Sequence, residues 1–193
     1  METLKNKRVG FAITASYCTF SKIIKPLKDI VEAGAVVTPI MSYNASRIDS
    51  RFISANEFKK QILDITGNDI LDTIPAVEPI GPKSLLDIVI VAPCTGNTIA
   101  KLACGITDTP VTMACKSHLR NEKPVLIAVS TNDGLSANAA NIGSLLNTKG
   151  YYFVPFKQDD PQNKARSLVA NMNQLLPATV ACINGIQLQP IIT

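Results

Sequence analysis

Ile88-Val89-Ile90-Val91-Ala92-Pro93-Cys94-Thr95-Gly96-Asn97-Thr98 is the stretch that decides the fold. Its first five residues are apolar without a break. Such a run suits a strand covered on both faces, not one with a wet side. Pro93 then ends the run, because proline has no N–H to give to a ladder. Polar Thr95 and Asn97 turn the chain into a segment with helical spacing, Thr98 to Ala103. A buried strand that passes through a short polar turn into a helix is half of a βαβ unit.

Four other apolar runs have the same character: Val9 to Ile13, Val36 to Ile40, Val125 to Val129 and Tyr151 to Val154. Periodic segments lie between them. Phe20, Ile23, Ile24, Leu27 and Ile30 share a helical stripe. Pro26 interrupts it and predicts a kink or a helix start. Ser54-Ala55-Asn56-Glu57 reads as a capping box ahead of Phe58, Ile62 and Ile65. Val111 to Leu119 forms a helix after Pro110, and Ser136 to Thr148 another, closed by Gly150. Asp160-Pro161 predicts the start of a last helix with Leu168, Val169, Met172 and Leu175 inward. Pro177 to Thr193 is apolar without a clear period. Gly67 to Pro82, with three prolines, predicts a binding loop, a subunit contact or a decorated crossover with a short extra strand. The expected architecture is α/β: a doubly wound, Rossmann-like parallel sheet of roughly five or six strands with right-handed crossovers.

Composition bounds the function. The 193 residues correspond to one domain over 1–193, at ~150 residues per domain. Hydrophobic residues are 46% and charged residues 18%, which excludes a disordered chain. No apolar run approaches the ~18 residues of a membrane span. The apolar run after Arg8 is too short for a signal-peptide core, so a cytoplasmic protein is expected. The net charge of +4 is scattered, and Trp is absent, which argues against a nucleic-acid surface. The five cysteines, at 18, 94, 104, 115 and 182, have no C-x2-C spacing. No metal site is expected, and the thiols read as reduced and mostly buried.

In a doubly wound sheet ligands bind beyond the carboxyl ends of the strands. Thr14-Ala15-Ser16 follows the first strand, and neither G-x-G-x-x-G nor a Walker motif is present. Its hydroxyls suit one phosphate at a helix N-terminus, or merely cap that helix. Ser42 follows the neighbouring second strand and extends either reading. Thr95, Asn97 and Thr98 put amide and hydroxyl groups beyond the third strand, where they suit the polar edge of a planar heterocycle or an ordinary N-cap. Asn132 and Asp133 follow the fourth strand as turn residues well placed for a site. His118, the only histidine, reads as a packed, hydrogen-bonded side chain. Cys94 reads as a buried thiol, with a nucleophile as the sharper alternative.

Pro93-Cys94-Thr95-Gly96-Asn97-Thr98 and Gly105-Ile106-Thr107-Asp108 resemble the signature of the flavin-containing cysteine decarboxylase superfamily. There the strand is followed by Pro-Ala-Ser-Ala-Asn-Thr and later by Gly-Ile-Ala-Asp. Glu78 to Lys83, His118 to Asn121, Ser130 to Leu135 and Val154 to Pro161 extend the likeness over nearly the whole chain, toward a branch that forms one half of a two-component oxidoreductase. The resemblance implies a flavoprotein fold, a homo-oligomer (a trimer or a multiple of one) and a site for FMN. Thr14, Ser16 and Ser42 would hold the phosphate. Thr95, Asn97 and Thr98 would face the ring system, Pro93 counts with them as cofactor-binding, and Asn132 matches the asparagine of the decarboxylases' Pro-x-Met-Asn.

The resemblance also implies a partner A subunit, similar to a nicotinamide-dependent dehydrogenase, that carries NAD(P). The pair would oxidise a small cyclic dihydropyridine dicarboxylate to its aromatic form in the mother-cell cytoplasm during sporulation. Lys101 and Lys116 are candidates, by position, for the two carboxylates. The decarboxylases' catalytic histidine has no counterpart in Asn56 to Ile65, and their late cysteine motif is missing. FMN-dependent decarboxylation and a non-catalytic scaffold that docks the A subunit are the alternative readings.

Overall fold

The computed structural model describes residues 3–193. Five strands run parallel: β1 (Arg8–Ile13), β2 (Val36–Met41), β3 (Ile88–Cys94), β4 (Val125–Thr131) and β5 (Tyr151–Phe153). Their order is β2-β1-β3-β4-β5. Val9 stands between Val37 and Ile88, and Val89 stands beside Val125. Every residue of β3 is buried, as its unbroken apolar run requires. Helices α1 (Phe20–Glu32) and α8 (Leu175–Ile183) touch each other and β3. Helix α6 (Pro110–Leu119) covers β2, β3 and β4, with α5 (Gly96–Ala103) and the short α4 (Ile74–Val77) against it. A core built of such buried side chains gains about 1.5–3 kcal/mol for each Val, Leu, Ile or Phe removed from water.

The remaining helices are α2 (Tyr43–Arg47), α3 (Ala55–Thr66) and α7 (Ala139–Leu146). Ser54 caps α3 by accepting the N–H of Glu57, and Gly67 ends it in the left-handed region at φ 66°. Phe58 of α3 stacks on Phe20 of α1 with ring centroids 3.9 Å apart. Helix α1 begins at Phe20 and runs through Pro26, so the proline is not the helix start. Pro26 is buried on the core face. The Gly67 to Pro82 segment is the decorated crossover: Leu71 bridges Ile40 of β2, and α4 follows.

The chain from 156 onward departs from expectation. Asp160-Pro161 opens no helix. Instead β6 (Phe156–Asp160) and β7 (Lys164–Ala170) form an antiparallel hairpin. The Asp160 carboxylate accepts the backbone N–H of Asn163 at 3.1 Å and its side-chain amide at 2.9 Å, which closes the turn. An Asp-Pro pair starts turns as readily as helices. Strand β7 then pairs antiparallel with the far end of β4, through Ser130↔Val169 and Thr131↔Leu168. The final helix is α8, later than predicted. The hairpin therefore stands over the carboxyl end of the parallel sheet.

Candidate functional site

A cavity of about 800 Å³ opens at that end. Its walls are the loop after β1, the first turn of α5, the turn after β4 and the inner side of β7, with Lys22 of α1 and Arg51-Phe52 from the loop before α3. The strand order reverses between β1 and β3, and the crevice at such a reversal is where doubly wound sheets bind ligands.

Two hydrogen-bonded knots form the base. Thr14, buried after β1, donates its hydroxyl to the carbonyl of Pro93 at 2.7 Å and accepts the N–H of Thr95 at 3.0 Å. This joins the β1 and β3 loops. Ser16, Thr19 and Ser130 form a closed ring of hydroxyls, with separations of 3.1, 2.9 and 2.8 Å. That ring ties the β1 loop to the end of β4. Hydroxyl protons can rotate, so such a ring can turn a donor toward an anion or an acceptor toward an N–H.

The charges are unevenly placed. Lys22 and Arg51 are exposed at the cavity, and neither has an ion pair among the described residues; Arg51 lies 4.8 Å from the centroid of the Phe52 ring. Lys164 is engaged by Asp159 at 2.8 Å. The Asp133 carboxylate accepts from the hydroxyl of Thr131 and from the amide of Asn138, the latter at 2.8 Å. A Cβ built on Gly96 would lie 2.5 Å from Thr131 Oγ1, 2.5 Å from Asn138 Nδ2 and 2.7 Å from Asp133 Oδ1. Glycine is required there because three short side chains have taken the space.

Ser16, Thr95, Asn97 and Asn132 line the cavity. The other four residues singled out by sequence do not. Thr14 and Pro93 are buried beneath it and bonded to each other. Thr98 is buried, its hydroxyl 3.1 Å from that of Thr95, whose oxygen also caps α5 through the Thr98 N–H. Ser42 caps α2 by accepting the N–H of Ala45 at 3.4 Å. Sequence reasoning does not single out Lys22, Arg51, Phe52, Ser130 or the hairpin residues. Lys22 has a local signal, one turn into the helix that follows the hydroxyl-rich loop. Arg51 has none, since its place depends on how the crossover folds back.

Cys94 is fully buried, and that burial, with Cys115 nearby, pushes its thiol pKa well above the ordinary value. It is not poised as a nucleophile. His118 is buried at 1% exposure away from the cavity, and its Nε2 has no partner among the described residues. Burial, then the nearby charge of Lys123, pulls its pKa down to about 4, so the ring is neutral at pH 7. Lys101 pairs with Asp108 at 2.8 Å, and Lys116 lines a separate cavity of about 250 Å³ beside Ile106 and Leu119. Neither lysine reaches the main cavity.

FMN needs room for a mononucleotide, donors for a phosphate and polar groups for its ring. A volume of about 800 Å³ lies inside the usual range for small-ligand sites. The hydroxyl ring of Ser16, Thr19 and Ser130 supplies donors, and Thr95, Asn97 and Asn132 supply hydroxyl and amide groups. The residues present fit the group.

The flavoprotein family profile matches residues 1–181. The chain is 44% identical, over all of its 193 residues and 96% of the relative, to the B subunit of dipicolinate synthase from Bacillus subtilis (strain 168). It is similar to the crystal structure of the B subunit of dipicolinate synthase from Bacillus halodurans, with TM-score 0.91 and 42% identity, covering 98% of this chain and 97% of that one. The FMN-dependent cysteine decarboxylase SpaF shares the fold, with TM-score 0.66 at 18% identity, covering 91% of this chain and 99% of its own. Sequence and architecture agree: this chain is a member of the flavoprotein family.

Proposed function

We propose that the chain is the B-type subunit of a dipicolinate synthase. It acts as one flavoprotein-like unit with a dehydrogenase-like A subunit to oxidise dihydrodipicolinate to dipicolinate, in the mother-cell cytoplasm of a sporulating cell. The observation that carries the reading is the 44% identity to a B subunit along the entire chain. The cavity chemistry agrees with it. A dianionic ring needs cationic donors at its carboxylates, and Lys22 and Arg51 have charge to offer.

The reaction breaks two ring C–H bonds. One leaves as hydride, and the other leaves its electron pair in the new aromatic ring and releases a proton. The chain's share is to bind, orient and dry the ring. Lys22 and Arg51 hold carboxylates, with Phe52 beside them in the cavity wall. Ser16, Thr95, Asn97 and Asn132 are the residues that would hold FMN, above the base built by Thr14, Pro93 and Thr98. Bound there, FMN would supply a two-electron acceptor; NAD(P) on the A subunit is the alternative acceptor. Assembly into a trimer or a multiple of one is part of the reading.

A second reading keeps the fold as a scaffold for the A subunit. One observation favours it. Among the described residues no histidine lines the cavity, and its two carboxylates are already engaged, Asp133 by Thr131 and Asn138 and Asp159 by Lys164. The same absence of a histidine counts against decarboxylation.

The test mixes this chain with its A subunit, dihydrodipicolinate and either nicotinamide cofactor, and follows dipicolinate formation. The catalytic reading expects both chains to be required and Asn97→Ala to slow the reaction. Unchanged turnover by Asn97→Ala in an intact complex favours the scaffold. A flavin absorption band in the purified protein, or on adding FMN, reports the flavin site separately.

A further inference from the structure

We propose that Phe52 makes the main cavity selective for a flat aromatic anion over a saturated anion of the same charge. The choice of ligand rests on the proposed function; the placement of Phe52 does not. Two aromatic side chains line the cavity, Tyr17 and Phe52. Tyr17 is committed elsewhere. Its hydroxyl donates to the carbonyl of Asn44 at 3.2 Å, and its ring meets Phe20 edge-on, with centroids 5.4 Å apart. Phe52 has no aromatic partner among the described residues, and 53% of it is exposed. Phenylalanine is ordinarily an inside residue, so an open ring in a cavity wall is apolar surface that a ligand can cover.

The turn that carries Phe52 is built to hold it there. The Ser50 hydroxyl oxygen accepts the N–H groups of Phe52 and Ile53, each at 3.2 Å, and donates to the carbonyl of Ile53 at 3.0 Å. The Ser50 N–H bonds the same carbonyl at 3.1 Å, and the Asp49 carboxylate accepts the N–H of Ala55 at 2.8 Å. All of these bonds lie within residues 49–55, so the turn is closed by its own groups. A wall fixed in advance loses little freedom when a ligand packs on it.

Arg51 gives the ring its charged neighbour. Its guanidinium lies over one face of the Phe52 ring, 4.8 Å from the centroid, and has no ion pair among the described residues. A free cation beside an open ring suits a ligand that carries its carboxylates on an aromatic ring, with carboxylate against guanidinium and ring against ring. Aromatic pairs contribute beyond the area they bury. A saturated ring with the same carboxylates keeps the charge contact and lacks that contribution.

Calorimetric titration of the full chain with two dianions tests this. One is pyridine-2,6-dicarboxylate; the other is cis-cyclohexane-1,3-dicarboxylate, which carries its carboxylates at the same ring spacing on a saturated frame. Phe52→Leu keeps an apolar side chain and removes the ring. It is expected to weaken the aromatic dianion about 3-fold to 10-fold and to leave the saturated one within about 2-fold. Phe52→Tyr keeps the ring and is expected to stay within about 2-fold of the native chain for both. The side chain is exposed, so the three proteins should melt together. Unchanged aromatic binding in Phe52→Leu, equal shifts for both dianions, or no binding of either by the native chain overturns the proposal. Dipicolinate formation with the A subunit is a separate measurement. Its absence beside the expected split speaks against the proposed function alone, and its presence beside equal shifts speaks against the role of Phe52 alone.

Discussion

Thr14 and Pro93, 79 residues apart in sequence, are joined by a hydroxyl-to-carbonyl hydrogen bond of 2.7 Å at the point where the sheet reverses its order. The same hydroxyl accepts the N–H of Thr95, so one buried oxygen sets the spacing of the β1 and β3 loops under the cavity. Thr14→Val keeps the shape and removes both bonds. It leaves the Thr95 N–H without this partner, and we expect a loss of about 1–3 kcal/mol of stability. Thr14→Ser should retain most of it. Urea denaturation of the three proteins checks the order, and a valine variant as stable as the native chain would refute the role.

Lys22 and Arg51 supply the attraction that a dianionic ligand meets. Replacing both with alanine should weaken binding of pyridine-2,6-dicarboxylate by roughly 10-fold or more, with little effect on the melting temperature, because both are exposed and outside any ion pair among the described residues. Raising the ionic strength should weaken the native chain toward the variant. Titration at two salt concentrations reads both effects.

Asp87 carries an acid-labile share of stability. The Arg8 guanidinium, 2.6 Å away, and its backbone N–H, at 2.9 Å, hold the carboxyl well below the usual carboxylate range, and Lys123 stands 3.5 Å off. The folded carboxyl stays ionised where the unfolded one, with an ordinary value of about 3.9, takes up a proton. Its contribution is therefore complete above about pH 5 and lost as pH falls below that. Asp87→Asn should be less stable than the native chain at pH 7, and the gap should shrink by pH 3. Denaturation midpoints at the two pH values decide it.

His118 acts over a different window. Its folded pKa, about 4, lies below the ordinary 6.5. Between those values the unfolded chain binds a proton that the folded chain refuses, so stability falls as pH drops from 6.5 to 4, by at most ~3 kcal/mol. His118→Phe should flatten that slope. A slope that survives the substitution would assign it to another group.

Much of the architecture was legible in the residues themselves. Ile88 to Ala92, Val9 to Ile13 and Val125 to Val129 are apolar on both faces, and that pattern has one common solution, a parallel strand under helices. Pro110 and Ser54 marked helix starts by local chemistry that needs no distant partner. Two segments were not legible. Helix α8 is apolar nearly all round because it is packed on α1, β3 and β4, so it shows no stripe. The β6–β7 hairpin depends on pairing with β4, a partner more than 30 residues back, and its Asp-Pro turn mimics a helix start.

The site divides the same way. Ser16, Thr95, Asn97 and Asn132 could be picked from sequence because each directly follows the end of a strand, where the fold class places ligands. Chain order could not say that Thr14 would bond its hydroxyl to Pro93, that Ser42 would cap α2, or that Arg51 would return to the cavity from the crossover. Nor could it seat Asp133 on Gly96. Local patterns determined the central parallel strands, most of the helices between them and which ends of the strands matter. Hydrogen bonds and close approaches between residues far apart in the chain decided which polar groups remain free to meet a ligand, because those groups are consumed or spared only once the chain has folded.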